Sequence, residues 1–192
     1  MNIKCETSMR HVHLCKKDVE TLFGKGVKLE KERDLSQPGQ FLCKQRVVIV
    51  GAKSTFQNVG IIGPERNESQ IEISRTDAFA LGLKNVPLRQ SGDLENAPTL
   101  AVLSPDLSSQ VSAQTIIAKR HVHLDPKTAK DNNITDGQIL RVKIEGERAT
   151  ILENVIARVD KNFTPAVHLD TDESNAAFEN IVINPTVQIL FD

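Results

Sequence analysis

Arg10-His11-Val12-His13-Leu14 recurs 110 residues later as Arg120-His121-Val122-His123-Leu124. The two strings hold four of the five histidines in the 192-residue chain, and the fifth is His168, inside Ala166-Val167-His168-Leu169-Asp170. On a β-strand, side chains i and i+2 share a face. His11 therefore converges with His13, and His121 with His123, while Val12 and Val122 turn the other way. Two imidazoles on one face make a chelating pair for zinc or a similar borderline metal. A third donor is needed to hold the ion well, and Glu72 and His168 are the leading candidates. The competing reading is a duplication whose shared flanks are relics, without function in both copies. The repetition of arginine and leucine around both pairs favours metal.

Other residues leave alternatives open. Cys15, two residues after His13, reads either as a ligand or nucleophile or as a small apolar filler. Asp170, Asp172 and Glu173 near His168 read as metal ligands, as partners of the ligands, or as acids enriched at a helix N-terminus. Arg66 follows Gly63-Pro64 close to Glu72. It reads as a solvated turn arginine or as an anion clamp, since guanidinium matches phosphate bidentately. There is no glycine-rich phosphate loop of the Walker or dinucleotide type, and no Ser-His-Asp triad can be argued.

These side chains need short strands to carry them. Ile3 to Leu14 is extended in character, and Cys15 to Phe23 reads as a short helix with Val19, Leu22 and Phe23 on one face. Residues 28–40 are charged, end in Ser36-Gln37-Pro38-Gly39, and read as loop. Strands are predicted at Val47–Val50, Phe56–Ile62, Thr99–Leu103 and Val111–Ala118. Gln70 to Ser74 alternates polar and apolar, as a half-buried strand should, with Gln70, Glu72 and Ser74 on the polar face. Thr76 to Leu81 reads as a short helix and Arg89 to Asp93 as a polar loop. After the second histidine pair, Asp125-Pro126 opens a helix to Lys130. Gln138–Ile144 and Ala149–Val159 form a hairpin pattern. Ala166–Leu169 carries His168, Thr171 opens a short helix, and Val187–Leu190 is a last strand. Both copies thus read strand, His-x-His, short helix. Many short strands without long amphipathic helices point to barrels or sandwiches, away from a parallel α/β sheet.

The bulk numbers agree. The chain has seven Phe and neither Trp nor Tyr, so its core must be Val, Ile and Leu, a bias towards strands. A net charge of −1 argues against a broad nucleic-acid footprint, which needs a basic excess, and leaves room for a local basic pocket for a phosphorylated small molecule. No apolar run is long enough to span a membrane, and no signal-peptide core follows Met1. Three cysteines without paired spacing point to a reducing cytoplasm.

The two RHVHL strings, Gly63-Pro64-x-Arg66-x-x-x-Gln70-Ile71-Glu72-Ile73, Arg89-Gln90-Ser91-Gly92-Asp93 and Asp170-Thr171-Asp172-Glu173-Ser174-Asn175-Ala176 occur in this order. Together they resemble the PduL-type phosphotransacylases, the phosphate propanoyltransferases, almost end to end. The resemblance implies a mainly β fold of two small β-barrels capped by short α-helices and discontinuous in sequence. Residues 1–9 with 118–192 would form one barrel and residues 10–117 the other. It implies a dinuclear zinc site, with His11, His13 and Glu72 matching the ligands of one ion and His121, His123 and His168 those of the other. Arg66 matches the arginine that contacts phosphate; Ser8 and Asn175 match residues lining the CoA pocket. The implied reaction converts acyl-CoA and phosphate to acyl phosphate and CoA, reversibly, with acetyl standing beside propanoyl as the acyl group. The partners are then CoA or acyl-CoA and phosphate or acyl phosphate, with no nucleic acid, no membrane, and a homodimer as an open expectation. About ten residues precede the first motif, too few for an encapsulation helix and linker, which favours a free cytoplasmic enzyme. Two rivals stand beside this reading: a zinc hydrolase using metal-bound water, and a non-catalytic zinc-stabilised binding barrel.

Overall fold

The computed structural model describes residues 1–178 and 185–191. In chain order the strands are β1 (Asn2–Ser8), β2 (His11–His13), β3 (Lys31–Asp34), β4 (Phe41–Val50), β5 (Thr55–Gly63), β6 (Gln70–Glu72), β7 (Leu88–Arg89), β8 (Thr99–Leu103), β9 (Gln110–Ala118), β10 (His121–Leu124), β11 (Ile139–Ile144), β12 (Thr150–Val159), β13 (Ala166–Asp170) and β14 (Thr186–Leu190). The helices are α1 (Lys16–Phe23), α2 (Arg75–Leu81), α3 (Pro126–Asp131) and α4 (Thr171–Ala177). The chain divides into two compact units: a central one, Arg10–Ala118, and a terminal one, Met1–Met9 with Lys119–Asp192.

Each unit is a closed six-stranded β-barrel with the same wiring. In the terminal unit the ring runs β1-β13-β10-β12-β11-β14. In the central unit it runs β4-β5-β2-β6-β9-β8 and closes because β8 pairs with both β9 and β4. The strand bearing each His-x-His is parallel to one neighbour (β5 or β12) and antiparallel to the other (β6 or β13). The sixth strand is β9 in one ring and β1 in the other, each parallel to the strand of the third candidate ligand. Each ring is therefore completed by the strand that leads into the other ring's His-x-His. The repeat extends to detail. Asn58 and Asn154, both left-handed with φ of 55° and 59°, sit two residues before the partners of His11 and His121. The register shifts at both places, as a bulge requires.

The residues between and after the histidines build the cores. Val12 and Leu14 are fully buried in the central unit, Val122 and Leu124 in the terminal one. Leu14→Ala is expected to cost about 3 kcal/mol of unfolding free energy, read from the denaturant midpoint. A loss below about 1 kcal/mol would mean that the site collapses around the smaller side chain.

Residues 28–40 depart from the loop expectation, since Lys31–Asp34 form β3 on β4. All four residues of β3 are exposed, so the strand has no apolar face to print a period on the sequence. Backbone pairing makes it, together with the ion pair of Glu32 with Arg46 of β4 and that of Lys44 with Glu30 just before β3. Arg89, expected in a loop, lies in the two-residue β7 on β9. Among the described residues no helix is long and apolar enough to cross a membrane.

Candidate metal centres

In the central unit, β2 and β6 set His11 directly opposite Glu72 and His13 opposite Gln70. The Nε2 atoms of His11 and His13 are 3.2 Å apart, and each lies 3.6 Å from a different Glu72 oxygen. One donor atom from each of the three residues falls within 4.8 Å of the others. His13 Nδ1 lies 3.0 Å from the Ile62 carbonyl. A proton on Nδ1 satisfies that carbonyl and leaves the Nε2 lone pair aimed at Glu72, as a ligand needs.

Glu72 is held from behind. Ser91 Oγ donates to Glu72 Oε1 at 2.6 Å and Gln70 Nε2 donates to the same oxygen at 2.5 Å. The Gly92 N–H donates to Gln70 Oε1 at 3.0 Å, and Arg66 Nη1 donates to Ser91 Oγ at 2.8 Å. The loop after β7 thus ties Arg66 to the carboxylate. Gln70, Glu72 and Ser74 are all buried, so the polar face of this segment is not the solvent face that alternation suggested. The histidine pair and the Ser91 loop meet Glu72 and Gln70 there, and Ser74 caps α2. Neither Gln70 nor Ser91 stood out as functional in the sequence. The signal was there for Gln70, two positions from Glu72 and so on the same face; Ser91 gave none beyond its place in a polar loop and in the Arg89–Asp93 motif.

In the terminal unit, β10 and β13 set His121 opposite His168, the position that Glu72 holds in the other barrel. The rings of His121, His123 and His168 lie with centroids 4.7 to 5.1 Å apart, and their donor atoms form a second group within 4.8 Å. His121 Nδ1 is fixed 2.8 Å from the Lys119 carbonyl. His123 is buried, stacked on Phe163, and neither of its ring nitrogens has a hydrogen-bond partner among the described residues. Leaving such a group unpaired costs on the order of 1–3 kcal/mol. A metal ion on the lone pair would supply such a partner, and the donor set fits a divalent ion of the zinc type.

The charge states also suit ligation. Burial, reinforced by His121, His168 and Arg158, holds His123 down at about 2. Burial, then His11, pushes His13 well below its usual value. Burial by itself would raise Glu72, but His11, His13, the Ser91 hydrogen bond and Arg66 together bring it to about 2. At neutral pH the two imidazoles are neutral and the carboxylate ionised, the forms that bind metal.

The metal-free chain should lose stability in acid. Below about pH 6.5 the unfolded histidines take up protons that folded His13 and His123 refuse, and below about pH 4.5 the same holds for Glu72 down to about 2. Thermal melts in chelator are expected to show a midpoint that falls steadily on acidification through this window. A midpoint that rises would mean that the rings accept protons where they stand.

The remaining candidates are placed as follows. Arg66 lies between β5 and β6, its backbone N–H bonded to the Leu14 carbonyl. Ser8 ends β1 opposite Asp170, and Asn175 is exposed on α4; neither belongs to a triad. Asp170 and Glu173 form the capping box of α4 and are not in the donor groups, and Asp172 is a first-turn acid. Cys15 is the N-cap residue of α1, outside both groups. Burial pushes the thiols of Cys5 and Cys43 up to about 12 and about 11, so neither is a nucleophile at neutral pH.

Fold and site together define a protein of two closed β-barrels, each with a three-residue group that could hold a metal ion. The phosphate propanoyltransferase family model matches residues 4–180. A phosphate propanoyltransferase of Enterococcus faecalis is 46% identical over 171 residues, covering 89% of this chain and 81% of the relative. Those of Thermotoga maritima and Clostridioides difficile are 47% and 45% identical over 174 residues, covering 90% and 91% of this chain and 82% and 83% of theirs. The chain belongs to the phosphate propanoyltransferase family.

Proposed function

We propose that this chain is a phosphate acyltransferase carrying two zinc ions, one on each triad. It converts a short-chain acyl-CoA, acetyl- or propanoyl-CoA, and phosphate to acyl phosphate and CoA, in both directions. The observation that carries the reading is the Arg66–Ser91–Glu72 chain of hydrogen bonds, which sets an anion-binding guanidinium beside a metal ligand.

His11, His13 and Glu72 would hold one ion and His121, His123 and His168 the other. When bound, zinc supplies Lewis-acid polarisation and lowers the pKa of a thiol close to it. Arg66 presents its fork to phosphate and offsets charge that develops on the tetrahedral adduct; Ser91 fixes the fork's direction. A phosphate oxygen forms the bond to the acyl carbon, the carbon–sulfur bond breaks, and CoA leaves as thiolate. No protein nucleophile is needed, which agrees with two buried, un-ionised cysteines. Ser8 and Asn175 are assigned to the CoA side of the site.

Three donors per ion leave a position for substrate, as catalytic zinc sites do. The test is zinc content together with CoA-dependent, phosphate-dependent turnover, with and without chelator. About two zinc per chain and chelator-sensitive acyl transfer support the proposal. Activity without CoA would make the chain a hydrolase, and bound zinc without turnover a binding barrel.

A further inference from the structure

Arg10 and Arg120 stand immediately before the first histidine of each pair, and the metal reading uses neither. Arg10 Nη2 lies 2.7 Å from Asp77 Oδ1, and Arg120 Nε lies 2.7 Å from Glu173 Oε1. Asp77 is five residues past Glu72, and Glu173 five past His168. Each acid is the third residue of the helix that follows the third-ligand strand. Its second oxygen accepts from the N-cap backbone N–H, Ser74 to Asp77 at 3.4 Å and Asp170 to Glu173 at 3.0 Å. These N-caps lie two residues beyond the ligands Glu72 and His168. On its other side each arginine reaches the parallel neighbour of its strand. The Arg10 guanidinium sits 4.3 Å above the Phe56 ring in β5, and Arg120 Nη1 donates to the Glu153 carbonyl in β12 at 3.2 Å.

We propose that Arg10 and Arg120 are positioning residues, one for each metal centre. Each ties the His-x-His strand to the start of the helix behind the third ligand, and so sets the spacing of the three donors. The ladders that join these strands, β2 with β6 and β10 with β13, are only three residue pairs long. A charge-assisted bond to an acid that is itself bonded to the helix start stops such a short ladder from shearing. The same device appears in both barrels around different donor sets, His-His-Glu and His-His-His. It therefore answers to the shared geometry and not to one ion's ligand chemistry. It also accounts for the arginine of both RHVHL strings.

The inference rests on the zinc reading, and the experiment separates the two. Zinc affinity is measured by chelator competition on the intact chain, and the melting temperature on the same chain without metal. Arg10→Met is expected to weaken one of the two ions by about 10–100-fold and Arg120→Met the other, with the double substitution weakening both. Arg→Lys at either position should recover part of the affinity. Glu173→Gln should reproduce Arg120→Met, and combining them should add little, because the two residues act as one pair. Glu173→Gln and the lysine variants carry the test if a methionine variant does not fold. A lowered melting temperature with both affinities within about twofold of the parent would make the pairs structural only and overturn the proposal. A parent chain that binds no zinc would remove the zinc reading first and this inference with it.

Discussion

His13→Ala is expected to lower bound zinc from about two ions per chain to about one and to cut acyl transfer by ~10³-fold, on the order of 4 kcal/mol of transition-state stabilisation. His13 is the donor whose role is best set by its surroundings. It is buried, its Nδ1 is committed to the Ile62 carbonyl, and its Nε2 faces both His11 and Glu72. Removing it leaves two donors and an ionised, buried Glu72 with part of its compensation gone. The measurement is elemental zinc analysis with turnover on the same preparation. If the variant keeps both ions and full activity, the His11, His13, Glu72 group is not a metal centre. His123→Ala offers the matching comparison in the other barrel. There the parent ring has no hydrogen-bond partner among the described residues to lose, and a melting temperature on the metal-free variant separates lost packing on Phe163 from lost ligation.

Arg66→Ala is the second large effect. Turnover is expected to fall by ~10²–10³-fold, the loss typical when one donor to a developing anion is removed. Zinc content should stay near that of the parent. The split follows from the geometry: Arg66 touches Ser91, Ser91 touches Glu72, and Gln70 holds the same Glu72 oxygen independently. Losing the guanidinium removes the anion contact without releasing the ligand. Steady-state kinetics over a range of phosphate, with zinc analysis, decides it. A variant that loses its zinc would make Arg66 a structural support of the centre, and one that keeps full phosphate-dependent turnover would take it out of the reaction.

The sequence by itself determined which histidines share a strand face in each half. His-x-His on a strand converges by the period of two, and two copies with the same flanks predict two sites. Local chemistry also wrote most of the elements. The Asp125-Pro126 start of α3, the acids opening α4 and the apolar runs of β4 and β9 are all short-range signals, legible without knowing what packs against what. What lay beyond reach was anything set by pairing between distant segments. β3 is a strand because β4 offers it backbone partners, and four exposed polar residues carry no trace of that. Glu72 and His168 stood only as the leading candidates for a third donor; the register that puts each opposite a first histidine, 61 and 47 residues away in sequence, makes them equivalent. Ser91 is a partner of Glu72 only because the loop after β7 lies against β6. Arg10 and Arg120 counted in the sequence only as shared flanks of the two histidine pairs; their acid partners at the helix starts are a product of the fold. Side-chain type and spacing along one strand are local properties and survive in the sequence. Which strand lies beside which is decided by burying both cores at once and satisfying every backbone group, and only the closed barrels record that outcome.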